Sequence, residues 1–410
     1  MTPTASAERE PILDALRGFA VLGILLINIE IMRSPDWFVM LGGEVISRSD
    51  SMLDAVVRFA IGWLATGKFI SSLAILFGVG AALIASRALR KGTSPRALLA
   101  RRYVWLMVFG IAHMLLYPGD ILFVYGVTGI CLLPFVMLRV PALIAWAVGL
   151  FLAFNSFELI QLMSVNTLEA APYAQTAPAG MFDTTLSEQR AATLSAFMQG
   201  SYPDIVPVHI WQALLLQSQQ LSALPWILSL FLLGYAVARA GVLRDLNAHR
   251  TALRAGALIG LGIGLPANIG IGFGGPLSGW GPTPADEPLW ITQWQTLGYV
   301  LGEPLLAIGY LCALSLLFLR RGAPSRLAAV GRMTLTAYIL QSALALCLFL
   351  GLRLYDQLTS TSALLTVILI WCVLLIVCPL WLRHFQSGPA EWLWRTLTYG
   401  QAQPLRTTRA

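Results

Sequence analysis

The sequence predicts an all-α polytopic membrane protein of about ten transmembrane helices, with both termini cytoplasmic and further helices in the interface. Three observations lead there. Of the 410 residues, 57% are hydrophobic and 11% charged, and the mean hydropathy is +0.73. No water-soluble domain hides that much apolar surface behind so few charges. The apolar residues gather in runs long enough to cross a bilayer, and the basic residues gather between alternate runs.

The first span covers residues 12–32 and holds the stretch LDALRGFAVLGILLINIE. Asp14 and Arg17 stand three apart and share a helix face. Asn28 follows Arg17 by eleven residues, roughly 16 Å further along the axis at helical rise. A helix made only to sit in lipid needs none of these groups, and intramembrane polar residues usually face the bundle interior or a water-filled cavity. The span is too long for a signal peptide and lacks a basic leader, so it reads as a retained helix. Residues 52–64 are shorter and periodic, which suits the interface. Further spans are read at 69–89, 103–117, 120–138, 142–163, 223–240, 252–271, 297–319, 327–352 and 364–382. Gly256, Gly260 and Gly264 repeat every four residues and make a face for close helix packing.

One transmembrane domain therefore occupies residues 1–383, with extracytoplasmic loops at about 33–68, 164–222 and 270–296. The segment 164–222 suits short helices packed on the membrane face. Residues 270–290, rich in glycine, proline and tryptophan, read as an irregular interfacial loop. No strand precedes it, so it is not a phosphate cradle. Residues 384–410 form a cytoplasmic tail. Within it, 385–400 reads as an amphipathic segment lying on the membrane, with Trp392, Leu393 and Leu397 on one apolar face.

Charge sets the orientation. With the N-terminus in the cytoplasm, 21 of the 27 basic residues fall inside and 15 of the 20 acids fall outside. The net charge of +7 then reflects cytoplasmic loops rather than nucleic-acid binding. All five cysteines lie in apolar runs without CxxC or Cys/His spacing, so neither a disulfide framework nor a zinc or other metal site is expected.

The polar groups at membrane depth are Asn28, Glu30, Lys68, His113, Asp120, Asn155, Glu158, Glu303 and Gln341. All but Gln341 fall in the extracytoplasmic half, which argues for a polar cavity there. His113 is the histidine placed inside a span, and an imidazole can serve as base or acyl acceptor. Asp120, across the Tyr117-Pro118-Gly119 turn, can hold its tautomer. The plainer readings are a helix-gluing histidine and a helix-starting acid favoured by the dipole. Arg17 is an anion contact on the basic side. Lys68, Glu303 and Gln341 are substrate contacts, although Lys68 can also snorkel. His209, His249 and His384 read as solvated loop residues.

The segments LDALRGFAVLGILLINI, GKFISSLAILFGVGAAL, FGIAHMLLYPGDILFVYGVTG, GRMTLTAYILQSALALCLF and SGPAEWLWRTLTYG, in this order, resemble the YeiB-like family of bacterial membrane proteins. The resemblance runs from about residue 9 to 405. The first helix is also similar to that of the wider transmembrane acyltransferase superfamily, which includes glycan O-acyltransferases and the heparan glucosaminide N-acetyltransferase. The O-acyltransferase branch pairs a basic residue with a histidine eleven positions later. The basic position matches Arg17, and the histidine position holds Asn28. The glucosaminide acetyltransferase is similar in having asparagine there, with its catalytic histidine a further eleven residues on, where this chain has Val39. The resemblance thus implies an acyltransferase of the bacterial inner membrane in which His113 takes the base or acyl-carrier role, Asp120 orients it and Asn28 donates to an oxyanion. Acyl-CoA would be the co-substrate, its phosphates held by Arg17 and the basic 87–102 stretch with Arg101 and Arg102. The partners expected are membrane lipids, acyl-CoA and a glycan, lipid or small-molecule acceptor, with a homo-oligomer left open and no nucleic acid. A transporter or flippase for a lipid-linked or small polar substrate is the alternative; a purely structural partner would leave the buried polar set unexplained.

Overall fold

The computed structural model describes residues 11–35, 51–164, 186–275 and 289–406, and they are helical almost throughout. In chain order the helices are α1 (Pro11–Arg33), α2 (Met52–Leu64), α3 (Lys68–Arg90), α4 (Pro95–His113), α5 (Leu122–Leu132) and α6 (Val140–Ser164). They continue with α7 (Leu186–Met198), α8 (Tyr202–Ser222), α9 (Leu224–Arg239), α10 (Arg250–Ala267), α11 (Ile269–Gly274) and α12 (Leu289–Leu297). The last are α13 (Glu303–Arg321), α14 (Ser325–Arg332), α15 (Thr334–Gly351), α16 (Ser360–Leu382) and α17 (Pro389–Tyr399). A π-helical segment, Gly298–Gly302, joins α12 to α13.

Local chemistry sets several of the boundaries. Ser51 and Asp54 form a capping box at the start of α2, and Asp54 Oδ1 also accepts the Thr361 N–H at 2.9 Å, which ties α2 to α16. Gly67, at φ +76°, breaks α2 from α3 in a conformation that side chains disfavour. Ser94 accepts the Ala97 N–H, and Pro95 follows at the first helical position of α4.

Small residues let the axes approach. A Cβ on Gly18 would strike the Leu327 carbonyl, and one on Gly331 would strike the Asp14 carbonyl, so α1 and α14 cross backbone against backbone. Gly78 meets the Phe231 carbonyl and Gly234 that of Ile75 where α3 crosses α9. The expected face of Gly256, Gly260 and Gly264 is found: it packs on Cys312, Gly309 and Leu306 of α13. At the rim, α16 buries one stripe, Ser360, Ala363, Val367, Ile370, Leu374 and Cys378. Leu365, Leu369, Ile376 and Leu380 face outward, as suits a helix against lipid.

By length and composition, five elements among the described residues can cross a membrane: Pro11–Arg33, Met52–Arg90, Trp290–Arg321, Thr334–Gly351 and Ser360–Leu382. The pair α8–α9, bent by 60°, can count as a sixth. The other runs read as spans are helical but short or charged. The apolar parts of α5 and α6 are Leu122–Phe135 and Val140–Ser156, while α4 carries Arg96, Arg101 and Arg102 and α10 carries Arg250 and Arg254. The short helices expected in 164–222 are α7 and α8; residues 165–185 lie outside the described residues. The irregular loop expected at 270–290 is partly helical, since α11 covers Ile269–Gly274 and α12 begins at Leu289; residues 276–288 lie outside.

The α1–α14 crossing has no room for side-chain carbon. Gly331→Val should lower the melting temperature in detergent, read by tryptophan fluorescence, because overpacking costs about 1–3 kcal/mol. Gly149→Ala, which meets open space, should leave it unchanged.

Candidate functional site

One cavity of about 490 Å³ runs into the bundle. Its walls come from α1, α3, α4, α5, α13, α14, α15, α17 and the segment after α9. One end is basic. Arg17, Arg87, Arg90, Arg102, Arg244, Arg332 and Arg395 line it, with Asp14 and Glu391 as the acids among them. Arg17 pairs with Asp14 at 3.1 Å, as their spacing predicted, and Arg332 Nε is buried without a hydrogen-bond partner. Seven guanidinium groups around one opening suit a ligand with several negative oxygens, because each offers planar, forked donors.

The floor of this end is α17. Glu391, Trp394 and Thr398 are buried against the bundle, and the apolar face read from the sequence is turned outward, with Leu393 exposed and Trp392 and Leu397 half-buried. Trp394 donates its indole N–H to the Arg102 carbonyl at 2.9 Å, and the Arg102 guanidinium lies 3.5 Å over the indole ring. Glu391 accepts the N–H groups of Leu335 at 2.6 Å and Thr336 at 3.0 Å, so it caps α15 from another helix. Burial pushes the Glu391 carboxyl upward from the ordinary carboxylate range, and the hydrogen bonds from Thr336 and Leu335 oppose that push.

The inner end is apolar, lined by Leu73, Leu76, Phe77, Leu106, Ile121 and Leu122, with Tyr125 and Tyr338 at its limit. Behind Tyr338 sits His113, the two ring centroids 4.8 Å apart. His113 is the last residue of α4, and Asp120 lies two residues before the start of α5. Gly110, one turn before His113, has no Cβ to push away the Phe123 amide and the Asp120 carboxylate. Asp120 therefore uses both oxygens: Oδ1 lies 2.8 Å from His113 Nδ1, and Oδ2 accepts the Phe123 N–H at 2.8 Å. Both readings of Asp120, tautomer holder and helix-starting acid, describe the same carboxylate. With Nδ1–H donating to Asp120, the His113 lone pair is on Nε2. Nε2 is buried and has no hydrogen-bond partner. Tyr117 stands beside the imidazole, 6.1 Å between centroids, and donates its hydroxyl to Asn28 Oδ1 at 3.2 Å. Asn28, His113 and Asp120 thus belong to one buried cluster, linked through Tyr117.

Helix α8 holds this turn. Gln217 donates to the Asp120 carbonyl at 2.8 Å, and His209 Nδ1–H to the Leu115 carbonyl at 2.8 Å. His209 is thus not a solvated loop residue; it is 3% exposed inside a helix whose outer-loop sequence disguised it.

Other candidates are placed elsewhere. Arg101, next to Arg102, turns away from the cavity and donates to the Leu397 carbonyl at 3.3 Å. Lys68 does not snorkel: it is fully buried, donates to the Gly62 carbonyl at 3.2 Å and has Glu303 as its charged neighbour. Neither lines the cavity. Gln341 donates to the Val21 carbonyl at 3.0 Å and braces α15 on α1. Asn155 bonds within its own helix, Glu30 pairs with Arg33 at 2.7 Å, and His249 and His384 are in part or largely exposed. Val39 and the Glu158 side chain lie outside the described residues. No cluster of metal-ligating residues occurs among the described residues. Sequence reasoning missed Tyr338, Trp394 and Arg395 as site residues, although the AYILQS and EWLWR segments displayed them.

A family model described as a protein of unknown function (DUF418) matches residues 237–401. The chain is 29% identical over 428 residues to the uncharacterized protein YxaH of Bacillus subtilis (strain 168), covering 99% of this chain and 98% of the relative. It is 28% identical over 434 residues to the uncharacterized protein YeiB of Escherichia coli (strain K12), covering 97% and 98%. No solved structure matches.

Trp394→Ala should loosen α17. Removing a buried aromatic side chain costs about 3–5 kcal/mol, so trypsin should cut after Arg395 and Arg383 markedly faster than in the parent protein.

Proposed function

We propose, for a chain that belongs with the YeiB-like membrane proteins, a membrane-embedded acyltransferase of the bacterial inner membrane that takes its acyl group from acyl-CoA. The observation that carries this reading is one cavity lined by seven arginines and bounded by Tyr338, whose ring lies against the buried His113–Asp120 pair. The distribution of basic residues supports about ten spans with both termini, and therefore the mouth, on the cytoplasmic side.

Arg17, Arg87, Arg90, Arg102, Arg332 and Arg395 would hold the phosphates, and the apolar inner end would take the thioester arm. Asp120 keeps the proton of His113 on Nδ1, so Nε2 serves as base. An acceptor hydroxyl or amine gives its proton to Nε2 as its oxygen or nitrogen bonds to the thioester carbonyl carbon. The carbon–sulfur bond then breaks, and His113 returns the proton to the departing coenzyme A sulfur. Asn28, whose Oδ1 is taken by Tyr117, keeps Nδ2 as the donor for the oxyanion. The acceptor is a glycan, lipid or small molecule reached from the outer face. Lys68 and Glu303 are given no step, because they neither line the cavity nor belong to the cluster of Asn28, Tyr117, His113 and Asp120.

One observation favours a second reading. Lys68 and Glu303 sit at two helix irregularities, the left-handed Gly67 and the π-helical Gly298–Gly302, and broken helices around buried charges are a feature of transporters. Flipping or uptake by reconstituted vesicles without coenzyme A dependence would favour transport.

Calorimetry on the purified protein should detect coenzyme A binding. Arg395→Ala should weaken it by about tenfold or more, since a charge-assisted hydrogen bond contributes about 1.5–3 kcal/mol. His113→Ala should leave binding intact and reduce acyl transfer by about 10²–10⁴-fold. Absence of binding, together with unchanged cellular acylation in His113→Ala, would end the acyltransferase reading.

A further inference from the structure

Among the described residues, Tyr338 is the aromatic residue that both lines the cavity and packs, tilted, against the His113 ring. Its ring lies 4.8 Å from the imidazole centroid at an interplanar angle of 45°. The phenol is held by a single long hydrogen bond, in which the Ile121 N–H donates to the Tyr338 hydroxyl at 3.3 Å. Ile121 is itself a cavity-lining residue at the start of α5. On the far side of the tyrosine, His113 Nε2 is buried without a partner, an arrangement that costs about 1–3 kcal/mol unless something reaches it. The imidazole is fixed at its other nitrogen by Asp120, so the ring cannot turn to find water or a carbonyl. Of the two tyrosine rings at the imidazole, Tyr117 is tied to Asn28 through its hydroxyl, and Tyr338 is the one that borders the cavity.

We propose that Tyr338 is a gate: its ring closes the inner end of the cavity against His113, and its rotation admits the cavity's ligand to Nε2. The same rotation releases the Ile121 N–H, which then points from the first turn of α5 beside the reacting position as an added oxyanion donor. The gate itself follows from the geometry; only the identity of what passes through it rests on the acyltransferase reading. Tyr338 is a positioning residue, because it acts by exposing His113.

The test uses the full chain purified in detergent and treated with diethyl pyrocarbonate, which carbethoxylates unprotonated imidazole nitrogen, with sites mapped by mass spectrometry. His249 and His384 serve as accessible internal references, and His209 as a buried one. In the parent protein His113 should react slowly. Tyr338→Ala should raise its rate by about tenfold or more, and Tyr338→Phe, which keeps the ring and removes the latch, by a smaller factor. Coenzyme A should protect His113 in Tyr338→Ala without affecting His249. Equal His113 rates in the parent and both variants, at unchanged melting temperature, would overturn the gate. Should Tyr338→Ala fail to fold, Tyr338→Phe decides: a His113 rate identical to the parent's removes the latch and the proposal with it. Faster His113 labelling with no acyl transfer by any variant would keep the gate and discard the acyltransferase reading.

Discussion

A single buried carboxylate holds the site together. Asp120 has two oxygens; one fixes the His113 ring and the other starts α5. The turn between α4 and α5 cannot relax without releasing both. A carboxylate so deep is tolerable only because each oxygen has a donor, and leaving one unpaired would cost several kcal/mol in low-dielectric surroundings. The constraint spreads outward: Gly110 must lack a side chain, α8 must clamp the turn through Gln217 and His209, and Tyr338 finds the Ile121 amide where the α5 start places it.

The cavity applies the same economy at larger scale. Its arginines are confined to one end, where their charge can be hydrated or paired, and the other end is hydrocarbon and aromatic. A ligand that fits this gradient is polyanionic at one end and apolar at the other. Electrostatic attraction would bring the charged part to the mouth, and burial would favour the advance of the apolar part. Lys68 and Glu303 stand apart from that gradient: they form a buried charged neighbourhood where Gly67 and the π-helical segment interrupt two helices.

Much of this was legible in the sequence, for definite reasons. Arg17 could be placed facing a cavity because an arginine inside an apolar run has few other comfortable positions, and its pairing with Asp14 follows from helix geometry alone. His113 and Asp120 could be joined because only a six-residue turn separates them. What could not be read was direction around an axis. Arg101 and Arg102 are neighbours in the chain about 100° apart on the helix, and only one of them faces the cavity. The period of α17 showed the apolar face of Trp392, Leu393 and Leu397, but not that the opposite face, Glu391 and Trp394, packs on the bundle as a cap for α15 and a platform for Arg102. Long-range partners of this kind leave no local trace. The outer loop hid His209 similarly, since polar composition masked a helix packed over the α4–α5 turn.

The placement of α17 bears on how the protein is made. Its Trp394 bonds to a residue 292 positions earlier in the chain. While the ribosome is still delivering the intervening segments, the arginines of α1, α3 and α4 surround an unfinished basin with no base. Capture of the proposed ligand would therefore become feasible only late in biogenesis, after insertion of the preceding helices is complete, and a nascent chain stalled before that point would present clustered positive charge to any anionic lipids around it.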